Sequence, residues 1–306
     1  MQTQVIDVTS WAKHEEFPVF PVGSKPKKML LCPSRPTENC LIPGHSYLFK
    51  IGVGRFQQQA WSEVIAYRIG ILLGLPVPPC FIAEDKNSQE IGALIEFFYG
   101  HPGDSAPTRF IHASEFMTRI LVDKKKGRPH RLPLNLTVSR ALCGAPAQDW
   151  WAKAVVFDAL IGNTDRHPEN WGFLFRHPGR GKVETALAPL FDNGTSLAYE
   201  VAEAKLISQA MPENVEAYIQ RGKHHCGWQK DGPLGHFELC REFLKSSPKL
   251  AIEMREILQF DLEDVKSILE ECVAYDTGIK FSRERAALVF SLVKARKAAL
   301  VNLLEG

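Results

Sequence analysis

The sequence has no CxxC pair, no G-x-G-x-x-G or Walker A phosphate loop, no internal repeat and no low-complexity tract. Its seven cysteines (Cys32, Cys40, Cys80, Cys143, Cys226, Cys240 and Cys272) are odd in number and have no ligand-like spacing. That argues against a disulfide framework or a zinc–thiolate cluster and makes a reducing cytosol the default. Charges interrupt every apolar run before it could cross a bilayer, and the N-terminus lacks the basic-then-apolar pattern of a signal peptide. A soluble, cytoplasmic protein is expected. Charge excess is also small: 37 basic against 35 acidic residues give +2, so overall charge points to neither a nucleic-acid nor a membrane partner. The one dense basic run, Lys124 to Arg131, reads as a solvated loop.

What is there is ordinary globular composition, 45% hydrophobic and 24% charged over 306 residues, sufficient for one large domain or two lobes around a cleft. The first 28 residues are weakly patterned. Met29 to Cys32 and Ser46 to Ile51 read as strands, and Gln58 to Leu73 as a helix with Trp61, Ile65, Ile69 and Leu72 at helical spacing. Gly74 and Pro76 stop that helix. Phe81 to Ala83 and Ile91 to Phe97 read as an antiparallel strand pair. After a hinge-like stretch, 100–108, the pattern turns helical at 111–123, 149–162, 246–258, 262–275 and 281–304. A strand-like insert, Trp171 to Phe175 and Ala186 to Phe191, interrupts it. The fold class predicted is α+β: a small β-rich lobe, residues 1–99, followed by a larger helical lobe, residues 100–306.

The chemistry concentrates in LIGNTDRHPENWGFLF, residues 160–175, where Asp165, His167 and Asn170 stand in a D-x-H-x-x-N spacing. Pro168 stops a helix from running through, so the segment can aim a carboxylate and an amide into a cleft. Some twenty residues on, Asp192 follows an apolar strand, with Gly194 permitting a sharp turn. Magnesium takes hard oxygen ligands, one or two carboxylates together with substrate phosphates, and this pair of segments offers them. In the first half, Lys50 on a strand and Glu63 on the next helix match a lysine that clamps phosphates and the glutamate that holds it. The connection between the first two strands, CPSRPTENCLIPGHS, stands where a phosphate-covering loop is expected, with only Gly44.

These segments resemble the HipA family of bacterial serine/threonine kinases, whose fold is related to protein kinases and phosphoinositide kinases. The matching pieces are YLFKIG, WSEVIAYRIGILLGLPVPP, LIEFF, IGNTDRHPEN and PLFDNGTSL, in family order from about residue 46 to 197. The resemblance implies a two-lobed, kinase-like fold with ATP and Mg2+ as cofactors. It implies that Lys50 binds the ATP phosphates and Glu63 orients it. Glu96 and Phe98 stand where hinge backbone contacts adenine. Asp165 would accept or orient the acceptor proton, His167 brace the loop, and Asn170 and Asp192 ligate magnesium. Family members are silenced by phosphorylation in the phosphate-covering loop, where Ser34 and Thr37 are the nearest candidates.

The resemblance further implies autophosphorylation, a protein substrate such as a translation factor, and an antitoxin partner. The chain reads as a compact version without the extra N-terminal subdomain of longer members, so the antitoxin pairing does not follow directly. Arg221, Lys223, His224 and His225 form a possible phosphate or acidic-substrate patch. Two alternatives share the fold: a lipid or small-molecule kinase, and a nucleotide-binding pseudokinase acting as a partner-binding subunit.

Overall fold

A computed structural model describes residues 2–14 and 26–305. Six strands form its first sheet: β1 (Ile6–Asp7), β2 (Ala12–Lys13), β3 (Lys27–Leu31), β4 (Ser46–Ile51), β5 (Cys80–Asp85) and β6 (Glu90–Glu96). Their spatial order is β1-β5-β6-β4-β3-β2, antiparallel except for the β1–β5 edge. The alternation in SYLFKI decides how β4 sits. Tyr47, Phe49 and Ile51 are buried in one apolar cluster with Leu30, Phe81 and Leu94, so Leu48 and Lys50 face the other side.

Helix α1 (Gln59–Leu72) packs across that other side through Trp61, Ile65 and Ile69. It ends as its sequence predicts. Gly74 takes φ +64°, its N–H donates to the Ile71 carbonyl, and the Leu75 N–H donates to Gly70. This is a Schellman closure, which the missing Cβ of Gly74 makes inexpensive.

Beyond residue 100 the elements are β7 (Thr108–His112), α2 (Ala113–Phe116), α3 (Leu132–Cys143), α4 (Pro146–Ile161), β8 (Gly172–Gly179), β9 (Lys182–Leu187), α5 (Leu206–Gln209), α6 (Pro212–Arg221), β10 (Lys223–His224), β11 (Leu234–Gly235), α7 (His236–Ser246), α8 (Ala251–Glu256), α9 (Leu262–Ala274) and α10 (Arg283–Glu305). The predicted helix over 111–123 is mostly not one. Thr108 to His112 instead pairs with β8, so β7, β8 and β9 make a second, three-stranded antiparallel sheet. Tertiary pairing overrode a segment whose apolar spacing suits either state. Of the predicted 246–258 helix, the short α8 remains in the middle.

The largest core cluster crosses residue 100. It joins Trp61 and Ile65 of α1 to Trp151 and Phe157 of α4, Leu269 of α9 and Val293 of α10. The first half is also tied to the C-terminal helices by polar contacts. Trp61 Nε1–H donates to the Ile279 carbonyl at 2.7 Å, and Arg68 meets Glu271 at 2.9 Å.

Gly162 ends α4 with φ +70°, and a Cβ built there would lie 2.8 Å from a guanidinium nitrogen of Arg296. Arg296 is buried and donates to the Ala159 carbonyl at 2.9 Å, so it has little freedom to yield. Gly74 shares the positive φ but opens on empty space. Both alanine variants incur the left-handed backbone penalty of roughly 1–2 kcal/mol. Gly162→Ala should cost at least about 1 kcal/mol more than Gly74→Ala, the added penalty of overpacking. Chemical denaturation of the two variants side by side checks this.

Candidate active site

The loop after α4 is built on a buried ion pair. Asp158, one turn before the end of α4, has no exposed surface, and neither has Arg166. Arg166 reaches both carboxylate oxygens, Nη2 to Oδ1 at 2.7 Å and Nε to Oδ2 at 3.0 Å. The same oxygens accept from Asn163 Nδ2 at 3.0 Å and His224 Nε2 at 3.1 Å. Burial alone would raise the Asp158 pKa, but Arg166 and His224 outweigh it and hold the carboxyl well below its usual range. An ion pair this deep persists because its hydrogen bonds are complete.

Arg166 has donors left over, and they set the site. Nη1 donates to the carbonyls of Asn170 (3.0 Å) and Phe191 (2.6 Å), and Nη2 donates to Asn193 Oδ1 (2.8 Å). One guanidinium thus fixes the end of the 163–170 loop against the 191–193 segment. Asn163 Oδ1 accepts the Asp165 N–H at 3.1 Å, and Asn170 Nδ2 donates to the Asp165 carbonyl at 2.7 Å. The second contact commits the Asn170 amide nitrogen and leaves Oδ1 as its acceptor.

Asp192 takes φ +57°, which is uncommon outside glycine although aspartate tolerates it better than most residues. That twist turns the following Asn193 N–H onto Glu63 Oε2 at 2.9 Å while the Asp192 carboxylate meets Lys50 Nζ at 2.8 Å. Glu63 Oε1 lies 2.5 Å from the same Nζ. Burial disfavours the Lys50 charge, but Asp192 and Glu63 more than offset it and raise its pKa, so it stays an ammonium. Gly194 serves a different purpose from the one predicted. The sharp turn is at Asp192, and Gly194 lets the chain pass close to α1, where a Cβ would sit 3.2 Å from Glu63 Oε1.

Lys50, Asn170 and Asp192 line one cavity of about 290 Å³. Its other end is apolar, with Leu48, Ile95, Phe98, Phe110 and Phe191; Phe98 and Phe191 stack at 5.3 Å between centroids. The strand after β6 is arranged unusually there. Phe97 uses its N–H on the Ser46 carbonyl (3.0 Å) and its carbonyl on His45 Nε2 (2.6 Å). Glu96 donates its N–H to the Pro79 carbonyl at 2.8 Å, but Pro79 has no N–H to return, so the Glu96 carbonyl lacks its ordinary strand partner. Among the described residues, nothing accepts from the Phe98 N–H.

Other predicted residues lie elsewhere. His167 is tied into the loop: its carbonyl accepts the Asn170 N–H at 2.7 Å and its Nδ1 the Glu169 N–H at 3.3 Å, while Nε2 is buried without a hydrogen bond, packed under Gly127. The loop carrying Ser34 and Thr37 is not phosphate-covering. Register pairs Leu31 with Ser46 and Lys27 with Lys50, so the β3–β4 connection leaves the sheet at the end away from Lys50. The connection entering beside Lys50 is the β2–β3 one, most of which lies outside the described residues; Lys27 at its end lines the cavity. Arg221, Lys223, His224 and His225 do not converge. Arg221 and Lys223 are exposed, His224 is buried on Asp158, and His225 turns to His130, with 2.8 Å between their Nδ1 atoms.

The sequence reading missed Arg166 and Asp158 altogether. The signal available was weak: an aspartate, Asp158, in the apolar second half of a helix, AVVFDALI, which is costly unless paired.

Comparison with known proteins now defines the class. The HipA-like C-terminal domain profile matches residues 23–272, so the chain belongs to that family, and its fold is the kinase-like one. Among solved structures it is similar to the Helicobacter pylori proinflammatory kinase CtkA, with TM-score 0.75 and 18% identity over 98% of this chain and 96% of that one. It is also similar to HipA of Shewanella oneidensis MR-1, solved with HipB and operator DNA, with TM-score 0.51 and 15% identity over 94% of this chain and 65% of HipA. No curated protein matches it by sequence.

Two measurements probe this scaffold. Arg166→Met strands the Asp158 charge and should destabilise the fold by about 3–5 kcal/mol, while Arg166→Met with Asp158→Leu should recover part of that loss; urea unfolding reads both. His236 Nε2 donates to the Asn163 carbonyl at 2.7 Å, and burial, assisted by Arg296, pushes its pKa from 6.5 down to about 3. His225 is pushed to about 3 mainly by burial and Arg128. The unfolded chain binds these protons first, so stability should be level above the ordinary histidine pKa and fall as pH drops from about 6.5 to about 3. The slope is about 1.4 kcal/mol per pH unit for each proton, and His236→Gln should lower it by one proton's worth.

Proposed function

We propose that the protein is an ATP-dependent phosphotransferase acting on serine or threonine hydroxyls of proteins, itself included. The observation that carries this reading is Lys50 held between Glu63 and Asp192 at 2.5 and 2.8 Å, in one cavity with Asn170. An ammonium kept charged by two carboxylates is suited to the α- and β-phosphates. The Glu96 carbonyl and Phe98 N–H, at the aromatic end, offer an acceptor and a donor suited to the adenine edge.

The residues also fit magnesium: Asn170 presents Oδ1 because its Nδ2 is committed, and Asp192 presents a carboxylate. When bound, the ion neutralises phosphate charge. The rest falls to the chain itself. The acceptor hydroxyl oxygen forms a bond to the γ-phosphorus as the bond from that phosphorus to the β–γ bridging oxygen breaks, and ADP leaves with the bond's electron pair. Asp165, whose main chain is fixed by Asn163 and Asn170, orients the hydroxyl and takes its proton. An antitoxin-type partner is supported only by the HipA complex with HipB.

Intact-mass spectrometry after incubation with ATP and Mg2+, alone and with cell extract proteins, tests the proposal. The wild type should gain phosphate and release ADP. Asp165→Ala and Asp192→Asn should each slow incorporation by about 10²-fold or more. ATP binding without turnover against any acceptor would overturn the phosphotransferase and leave a nucleotide-binding subunit.

A further inference from the structure

On the face of the first sheet opposite Lys50, where Tyr47 is buried, three side chains converge beside the end of β6. His45 precedes β4, Glu96 closes β6, and His101 lies on the following loop. One donor atom from each lies within 4.8 Å of the others. Glu96 Oε1 and His101 Nε2 are 3.3 Å apart. Metal–ligand bonds of about 2.0–2.1 Å at a tetrahedral angle set donors roughly 3.3 Å apart.

The protonation pattern suits ligation. His45 is only 1% exposed, and its Nε2 faces the Phe97 carbonyl at 2.6 Å. A carbonyl can only accept, so Nε2 carries the hydrogen and Nδ1 carries the lone pair. That Nδ1 is buried without a well-aligned hydrogen bond, and the Gly100 backbone also lies against this ring. A ligating imidazole whose other N–H is fixed by a backbone carbonyl is the arrangement metal sites use. The remaining ligands are also held from behind. Tyr47 Oη–H donates to Glu96 Oε2 at 3.3 Å, which leaves Oε1 toward His101. Asp104 Oδ2 accepts the His101 backbone N–H at 3.0 Å and lies 3.9 Å from its Nδ1.

We propose that His45, Glu96 and His101 bind a borderline transition-metal dication of the zinc class. Two imidazoles and one carboxylate select Zn2+ over Mg2+, which prefers oxygen alone. The imidazoles now stack, 4.3 Å between centroids and 14° from parallel. Ligation turns His101 out of the stack, and its side chain, about a third exposed on a loop, has room to turn. A bound ion ties the loop after β6 to the entry of β4. The site does not depend on the phosphotransferase reading.

The test uses the full chain, stripped with chelator, reloaded with limiting Zn2+ and passed over a desalting column, with metal content measured by mass spectrometry. The wild type should retain one Zn2+ per chain and gain thermal stability from it, and His101→Gln should bind at least 10-fold more weakly. His45→Gln should behave alike; if it fails to fold, His101→Gln decides. Co2+ substitution gives a second readout, the visible bands of a four-coordinate nitrogen–oxygen site. A wild type that retains no zinc, a His101→Gln variant that retains it fully, or a thiolate charge-transfer band placing the metal on cysteine would each overturn the proposal.

Discussion

The structure hangs on the Asp158–Arg166 pair. A carboxylate with no solvent contact is tolerable only when its lone pairs are filled, and here four donors from three residues fill them. The arrangement has a consequence beyond stability. A guanidinium presents five N–H groups in a rigid fork, so satisfying Asp158 still leaves donors aimed at fixed angles. They land on Asn170 and, on a segment more than twenty positions further along the chain, on Phe191 and Asn193; the two segments must be brought together for the cleft to exist. Lysine could neutralise Asp158 but could not reach all three.

The cleft is divided by the same physics that folds the sheet. Alternation along β4 sends Lys50 and Leu48 to one face and Tyr47 and Phe49 to the other. The polar end gathers around Lys50, and the apolar end gathers Phe98, Phe110 and Phe191 from three separate segments. Pro79 opposite Glu96 leaves a backbone carbonyl unanswered at that end. A fold usually avoids such a loss, and it is tolerated best where a ligand can supply the donor.

The sequence made some of this legible and hid the rest for identifiable reasons. Helices α1, α4, α9 and α10 were readable because their apolar faces repeat at helical spacing and glycine ends two of them. Strand β7 was not, since Thr108 to His112 becomes a strand only when β8 lies beside it. Lys50, Glu63, Asn170 and Asp192 stood out through order along the chain, and the structure brings all four together. Arg166 sits between two of the residues singled out, yet it went unnoticed because nothing local distinguishes a buried arginine from a solvated one. Its role depends on Asp158, which helix α4 hides among apolar neighbours. The loop with Ser34 and Thr37 was misplaced for a topological reason: without the β2 edge, the first visible hairpin is the wrong one.

The backbone at Asp192 shows how the two halves of the site become one. A left-handed residue costs energy, and it persists only where its surroundings demand it. Here they do. The twist puts the Asn193 N–H on Glu63, whose other oxygen holds Lys50, and leaves the Asn193 side chain on Arg166. A continuous polar path therefore runs from Lys50 through Glu63 and Asn193 to Arg166 and Asp158. With an ordinary extended conformation at residue 192, the Asn193 amide would point away, Glu63 would lose its second partner, and Lys50 would be positioned from one side only. The sheet supplies the lysine and the helical half supplies the carboxylate, but it is this one strained residue that fixes the distance between them.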